Sequence, residues 1–216
     1  MFGTVIKKKS YTPCHNIVKT CLIKNQVYSE AINYGHAKEH VAIQRFENKC
    51  NLKVEKSGLW VDLRFGFLGA SPDGIIIGGD GILEVKCIYS ARNLDTMEDV
   101  LKLKTICLEK KDSTLRLKRN HSYYYQIQGQ LNITKKNICY FVVYINDKID
   151  LFVEKITKDS NFWEEKMLPK LIDFYTNCIA PEIILNNIGQ GKRCKDPLNI
   201  LNAIKENEEK KKKMQP

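Results

Sequence analysis

Residues 69 to 87, GASPDGIIIGGDGILEVKC, constrain the fold more than any other stretch. Two apolar runs flank a GGDG turn, the signature of an antiparallel hairpin. Yet Asp73, Glu84 and Lys86 lie inside it, and ionic groups on buried strands are costly unless something compensates them. Either the hairpin is a surface feature or its charges have a task. In ILEVK successive side chains alternate between faces, so Glu84 and Lys86 share one side while Leu83 and Val85 share the other. A turn at GGDG brings Asp73 close to Glu84, placing two carboxylates and one ammonium in one patch.

Carboxylates at short range repel, which is relieved by protonating one of them or by binding a cation. Hard oxygen donors without a neighbouring His or Cys pair suit Mg²⁺ or Mn²⁺ better than zinc. An ion held this way polarises a phosphodiester and activates water, while Lys86 orients or deprotonates that water or stabilises charge on the phosphate. The plain alternative is a surface hairpin with a Glu–Lys cross-pair, which contributes little to stability.

Two further elements bear on the choice. Residues from about Ser29 to Glu47 read as a helix, and Glu39 falls within its apolar arc of Ala31, Gly35, Ala42, Ile43 and Phe46. A carboxylate there needs an internal partner, which a metal shared with Asp73 and Glu84 would supply. In HSYYYQIQGQL, the start of a helix from about His121 to Ile133, Tyr123, Gln126, Gln130 and Ile133 share one face. Gln126 points inward with an amide able to hold a water or a phosphate oxygen; the structural alternative is a core glutamine with its hydrogen bonds satisfied.

Around these motifs the chain alternates texture. Thr12 and Pro13 read as the N-cap and first residue of a short helix over CHNIVKTCLI. Leu52 to Lys86 reads as an antiparallel meander, residues 91 to 106 as a helix, and LEKKDSTLRLK as a turn joining two short extended pieces. KNICYFVVYIND and KIDLFVEKI read as adjacent strands, and a long amphipathic helix follows Asp159 and Ser160. This order gives an α/β (α+β) fold, a sheet with helices on its faces, in one domain over residues 1 to 205, with a basic, disordered tail over 206 to 216.

The 216 residues suffice for a full core, and the longest apolar run, CYFVVYI, is too short to span a bilayer. The N-terminus has its lysines after a very short apolar stretch, the wrong order for a secretory signal. The expected location is intracellular: nucleus, cytoplasm or virus-associated. Eight cysteines scattered singly read as reduced thiols, mostly small buried hydrophobes such as Cys139, with no paired spacing for structural zinc. A net charge of +10 suits a polyanionic partner.

Taken in order, Gly35 to Glu39 (G-x-x-x-E), Ser71 to Gly74 (SPDG), Leu83 to Cys87 (LEVKC) and Tyr123 to Leu131 (YYYQIQGQL) resemble the YqaJ-like viral recombinase family, over about residues 28 to 150. This is the lambda-exonuclease-type branch of the PD-(D/E)xK nucleases, and the Tyr-rich form resembles members from insects and other eukaryotes. The resemblance implies a restriction-endonuclease-like core with a central mixed β-sheet flanked by helices, its catalytic part within about residues 28 to 156. It implies that Asp73, Glu84 and the Val85 carbonyl bind one or two Mg²⁺ or Mn²⁺ ions, that Lys86 is the active-site lysine, that Glu39 assists a metal or water, and that Gln126 lines the centre. Ser71, Tyr123, Lys7, Lys8, Lys9 and Lys19 are the expected DNA contacts. The family cuts DNA, and its best-known exonuclease digests one strand of duplex DNA from the 5′ end as a ring-shaped trimer; a single-strand annealing protein is the expected partner. Members usually carry an Arg and a Thr-Ala-Ser-like segment before the region matching FGTVIKKKS, which bears on 5′-end recognition more than on hydrolysis.

Three rival readings are open. HAKEH at 36 to 40 matches the H-x-x-E-H pattern of a zinc peptidase with Glu39 as general base, although His36 and His40 rotate away from the apolar arc and Asp73, Glu84 and Lys86 go unused. An inactive DNA-binding module with the same fold is the second, since fold does not imply activity. An endonuclease acting on branched or internal sites is the third.

Overall fold

In the computed structural model the described residues are 1–23 and 28–213. They fall into two compact units, Val27–Ser160 and a second made of Met1–Gln26 with Asn161–Pro216.

The chain opens in the second unit with α1 (Phe2–Ile6) and α2 (His15–Leu22). The N-cap of α2 is Cys14, not Thr12: the Cys14 N–H is taken by Asp196 Oδ1 at 2.6 Å, so the helix starts two residues later than the sequence suggested.

The first unit begins with α3 (Glu30–Cys50), whose N-cap Ser29 accepts from the Ile32 N–H, as its position predicts. Then come β1 (Val54–Lys56), β2 (Trp60–Val61), β3 (Gly69–Ala70), β4 (Gly74–Ile76) and β5 (Gly81–Cys87). β4 and β5 form the expected hairpin with Gly74 opposite Leu83, and Gly78 in its turn has φ +68, a region open to glycine. Gly74 is also needed for space. A Cβ there would lie 2.2 Å from Val54 Cγ1, so only glycine lets β1 close on β4 beside Asp73.

Residues 91 to 106 do not form one helix. A 3₁₀ turn at Tyr89–Ala91 is followed by a short α4 (Met97–Leu101) capped by Thr96. The Asn146 side chain donates to the Arg92 and Leu94 carbonyls, occupying acceptors that a continuous helix would have used. β6 (Leu108–Lys111) and β7 (Thr114–Leu117) make the short hairpin read from the sequence, turning at Asp112 and Ser113, both at positive φ. α5 (Ser122–Thr134) precedes β8 (Ile138–Tyr144) and β9 (Phe152–Thr157).

The five-stranded sheet has the order β1-β4-β5-β8-β9. β5 and β8 are parallel and every other neighbour pair is antiparallel, so the sheet is mixed. Strand parity divides the core. Leu83, Val85, Val142 and Tyr144 pack with Ala42 and Phe46 of α3 on one face, while Ile82, Phe141 and Val143 pack with Ile127 and Leu131 of α5 on the other. Each such large apolar side chain stabilises the fold by about 1.5–3 kcal/mol.

In the second unit, α6 (Ser160–Phe162), α7 (Leu168–Phe174) and α8 (Ala180–Leu185) run on through two π-helical turns, Trp163–Met167 and Tyr175–Ile179. Pro169 and Pro181 each follow one of these turns; the wider loop absorbs the missing N–H and the ring clash that would otherwise break the helix. α9 (Leu198–Lys213) continues into the expected tail. Glu206, Glu208 and Glu209 stand four residues before Lys210, Lys212 and Lys213, a spacing and polarity that favour helix. Residues 214 to 216 of that tail lie outside the described residues.

Candidate active site

Parity turns Glu84 and Lys86 toward α5. Glu84 is 1% exposed and a buried carboxylate must be compensated. Its Oε1 accepts from Lys86 Nζ and from Gln126 Nε2 at 2.6 Å, and its Oε2 accepts from Gln130 Nε2 at 2.6 Å. Lys86 Nζ also lies 5.1 Å above the Tyr123 ring, a cation–π contact. Tyr123, Gln126 and Gln130 form one stripe of α5 over the two charged residues of β5.

Asp73 sits between β3 and β4 and is locked to β5 from both ends. Its N–H donates to the Leu83 carbonyl at 3.0 Å, and its Oδ2 accepts from the Val85 N–H at 2.7 Å. Ser71, exposed, presents its carbonyl 3.5 Å from Gln130 Nε2.

The electrostatics follow from burial. Desolvation raises the Glu84 carboxyl; Lys86 opposes this and the Asp73 charge adds to it. Desolvation raises Asp73 as well, against the pull of Lys86 and the Val85 N–H. Burial alone would lower Lys86, but Glu84 and Asp73 outweigh it and the ammonium is held above its ordinary range. Two acids strained toward their neutral forms with one cation between them make a site short of positive charge.

The structure thus brings Asp73, Glu84, Lys86 and Gln126 together, with Tyr123 beside them. Gln130 was missed as a site residue, although its place four residues after Gln126 on the same face was readable. Its Oε1 is buried with no hydrogen-bond partner. Gln128, between them, faces elsewhere and joins Thr157 and Asp159.

Glu39 stands on α3, which packs on the Leu83 and Val85 face; its half-buried charge raises the Cys87 thiol after the larger effect of burial, and Asp73 acts on the same thiol in the same direction. His36 and His40 are exposed on α3. Among the described residues no group of three or more His, Cys, Asp or Glu side chains is placed to hold a metal ion, which leaves the H-x-x-E-H reading without a site. Lys7, Lys8, Lys9 and Lys19 belong to the second unit: Lys7, Lys9 and Lys19 are exposed and Lys8 is half-buried.

The donor chemistry at β5 fits a hard divalent cation: two carboxylates on neighbouring segments, both raised by burial and Glu84 also by the Asp73 charge, beside an unused amide oxygen. A mixed sheet carrying an acid before one strand and an E-x-K on the next, with helices on both faces, defines the PD-(D/E)xK nuclease fold. Its profile matched over residues 2–137, the chain belongs to the YqaJ-like viral recombinase family. Among solved structures it is similar to an alkaline exonuclease (LHK-Exo) from Laribacter hongkongensis, at 21% identity and TM-score 0.62, covering 88% of this chain and 90% of that one. It is similar also to LHK-Exo in complex with dAMP, at 20% identity and TM-score 0.63, with the same coverage. No curated protein matches.

Proposed function

We propose that this chain is a divalent-metal-dependent deoxyribonuclease, an exonuclease that digests one strand of duplex DNA from its 5′ end. The observation that carries the reading is Glu84: a carboxylate 1% exposed, beside Asp73 and Lys86, on the face of α5. A carboxylate–lysine pair buried for structure alone would be replaced at little cost by two apolar side chains; one kept beside a second acid suits a cation-binding task. Family membership and the likeness to alkaline exonuclease structures, one of them holding a nucleotide, support the same chemistry.

Asp73, Glu84 and the Val85 carbonyl would hold Mg²⁺ or Mn²⁺. When bound, the ion supplies Lewis acidity toward the phosphodiester and an acidified water. Gln126 and Gln130 fix both oxygens of Glu84, so the carboxylate needs no reorganisation. Val85 N–H fixes Asp73 in the same way. Lys86, kept cationic by its neighbours, stabilises charge developing on the phosphate. Tyr123 and Ser71 line the approach, and the lysines at 7, 8, 9 and 19 contact phosphates. In this reading residues 1 to 205 act as one nuclease domain, inside the cell, as a homotrimer working with an annealing protein.

The test is digestion of linear duplex DNA labelled at the 5′ or 3′ end, and of circular DNA, with Mg²⁺ or with EDTA. Early release of 5′-labelled mononucleotide, intact circles and no cleavage in EDTA are expected. Circles cut as fast as linear DNA would assign an endonuclease, and full rate in EDTA would remove metal-dependent chemistry.

A further inference from the structure

In the unit formed by Met1–Gln26 and Asn161–Pro216, three cysteines far apart in sequence meet. Cys14 caps α2, Cys178 lies in the π-helical turn before α8, and Cys194 precedes α9; they are 0%, 4% and 6% exposed. All are free thiols. Cys14 Sγ lies 3.7 Å from Cys194 Sγ and 3.7 Å from the Lys195 carbonyl oxygen, and the Cys178 thiol is near enough to act on it electrostatically, so the three sulfurs form one cluster. The backbone around it is pinned: Cys14 N–H donates to Asp196 and Cys194 N–H to His15 Nδ1 at 3.3 Å.

Cys178 differs from the other two in its place on a cavity wall and in charge. It lines a cavity of about 350 Å³ together with Lys8, Ser10, Lys170 and Asn199. Ser10 and Asn199 are exposed, so the cavity opens to water. The Cys14 neighbour first, then the Lys8 ammonium, hold the Cys178 thiol below its ordinary range against burial and the charges of Asp173, which also lines the cavity, and Asp196. Burial first, then the Cys14 neighbour, pushes Cys194 up to about 12. A sulfur with thiolate character, reached from solvent and touching a second thiol, is the arrangement of a reactive and a resolving cysteine.

We propose that this cluster is an oxidative modification site for small hydroperoxides, with Cys178 as the reacting cysteine and Cys14 as the one that resolves it. The Cys178 sulfur attacks one peroxide oxygen; an S–O bond forms, the O–O bond breaks, and the other oxygen leaves as an alcohol or water with the thiol proton. The Cys14 sulfur then attacks the sulfenic sulfur; the S–S bond forms, the S–O bond breaks, and hydroxide leaves as water with the Cys14 proton. Two thiols are oxidised and one peroxide is reduced. Cys194, in contact with Cys14, can take over the bridge by thiol–disulfide exchange.

The test treats the purified full chain with stoichiometric hydrogen peroxide, followed by alkylation, intact mass and peptide mapping. The chain should lose the mass of two hydrogens, with Cys14 bridged to Cys178 or to Cys194. Cys178→Ser should slow bridging about ten-fold or more, and Cys14→Ser should leave a sulfenic acid on Cys178 that dimedone traps. Because a buried serine can unfold the unit, unmutated chain is also alkylated under native conditions, where Cys178 should react before the exposed Cys21. Oxidation of Cys21 first with the cluster still reduced, or a zinc ion in the native mass spectrum with the three thiols unreactive, would overturn the proposal.

Discussion

Replacing Lys86 by Met keeps an unbranched stem over Tyr123 and deletes the charge. Glu84 then keeps its two amide donors but loses its counter-ion while still facing Asp73. Removing one partner of a buried ion pair costs about 3–5 kcal/mol. Protonation limits that cost. A carboxyl of ordinary pKa about 4.3 takes up a proton at a cost of about 1.4 kcal/mol per pH unit, so about 4 kcal/mol at pH 7.5 and about 1 kcal/mol at pH 5. Lys86 exerts the largest lowering effect on Glu84, so without it the carboxyl rises further and this limit applies. Lys86 itself is raised in the folded state, so its contribution is present throughout this range and is lost only above about pH 10. Urea unfolding in EDTA should therefore show Lys86→Met destabilised by about 3–4 kcal/mol near pH 7.5 and by about 1 kcal/mol near pH 5, with Glu84→Gln in the same chain restoring most of the loss. An equal loss at both pH values, or none at the higher one, would refute the account of Glu84 as a buried charge held by Lys86.

Three other outcomes follow from the same geometry. Gln130→Leu should lower the cleavage rate about 10–100-fold through a looser Glu84, with little change in unfolding midpoint, because losing the donor is offset by removing the orphaned Oε1. Asp73→Asn should abolish cleavage and any Mg²⁺-induced rise in Tm. Since burial raises both Asp73 and Glu84 in the folded state, wild type without metal loses stability as pH climbs from the unfolded carboxyl range toward the raised values, and the variant should show a smaller decline in a pH series of melts, with only the Glu84 share left. Gly74→Ala should cost about 1–3 kcal/mol in denaturant unfolding through the overlap with Val54, with Val54→Ala in the same chain recovering much of it.

What could be read from the sequence was what neighbours in sequence determine. The β4–β5 hairpin, the helix starting near Ser29, the Asp112–Ser113 turn and the pairing of β8 with β9 depend on turn chemistry and period, which short windows carry. The misses depend on distant residues. Asn146 breaks the helix expected over 91 to 106 and Asp196 moves the start of α2, and neither is visible from the segment it alters. The three thiols are joined by no spacing rule at all, being 164 and 16 positions apart along the chain.

The same parity explains why the charges can be kept. On the α5 face, Ile82 precedes Glu84 and Lys86 along β5, and Ile127 and Leu131 alternate with Gln126 and Gln130 along α5. Each polar pair is therefore boxed by apolar contacts that fix its rotamers, and the ionic groups occupy the end of the strand where burial falls off from Glu84 to Cys87. Local rules are broken here, with every donor on Glu84 supplied by a strand or a helix. A structural role alone would be served as well by apolar side chains in place of the pair and its amide, so a Glu84→Leu/Lys86→Met/Gln130→Leu chain that unfolds at higher urea than wild type in EDTA, yet cleaves no DNA, is the expected sign that this stretch gives up stability for chemistry. A triple variant less stable than wild type would instead make the polar cluster part of what holds the sheet to α5.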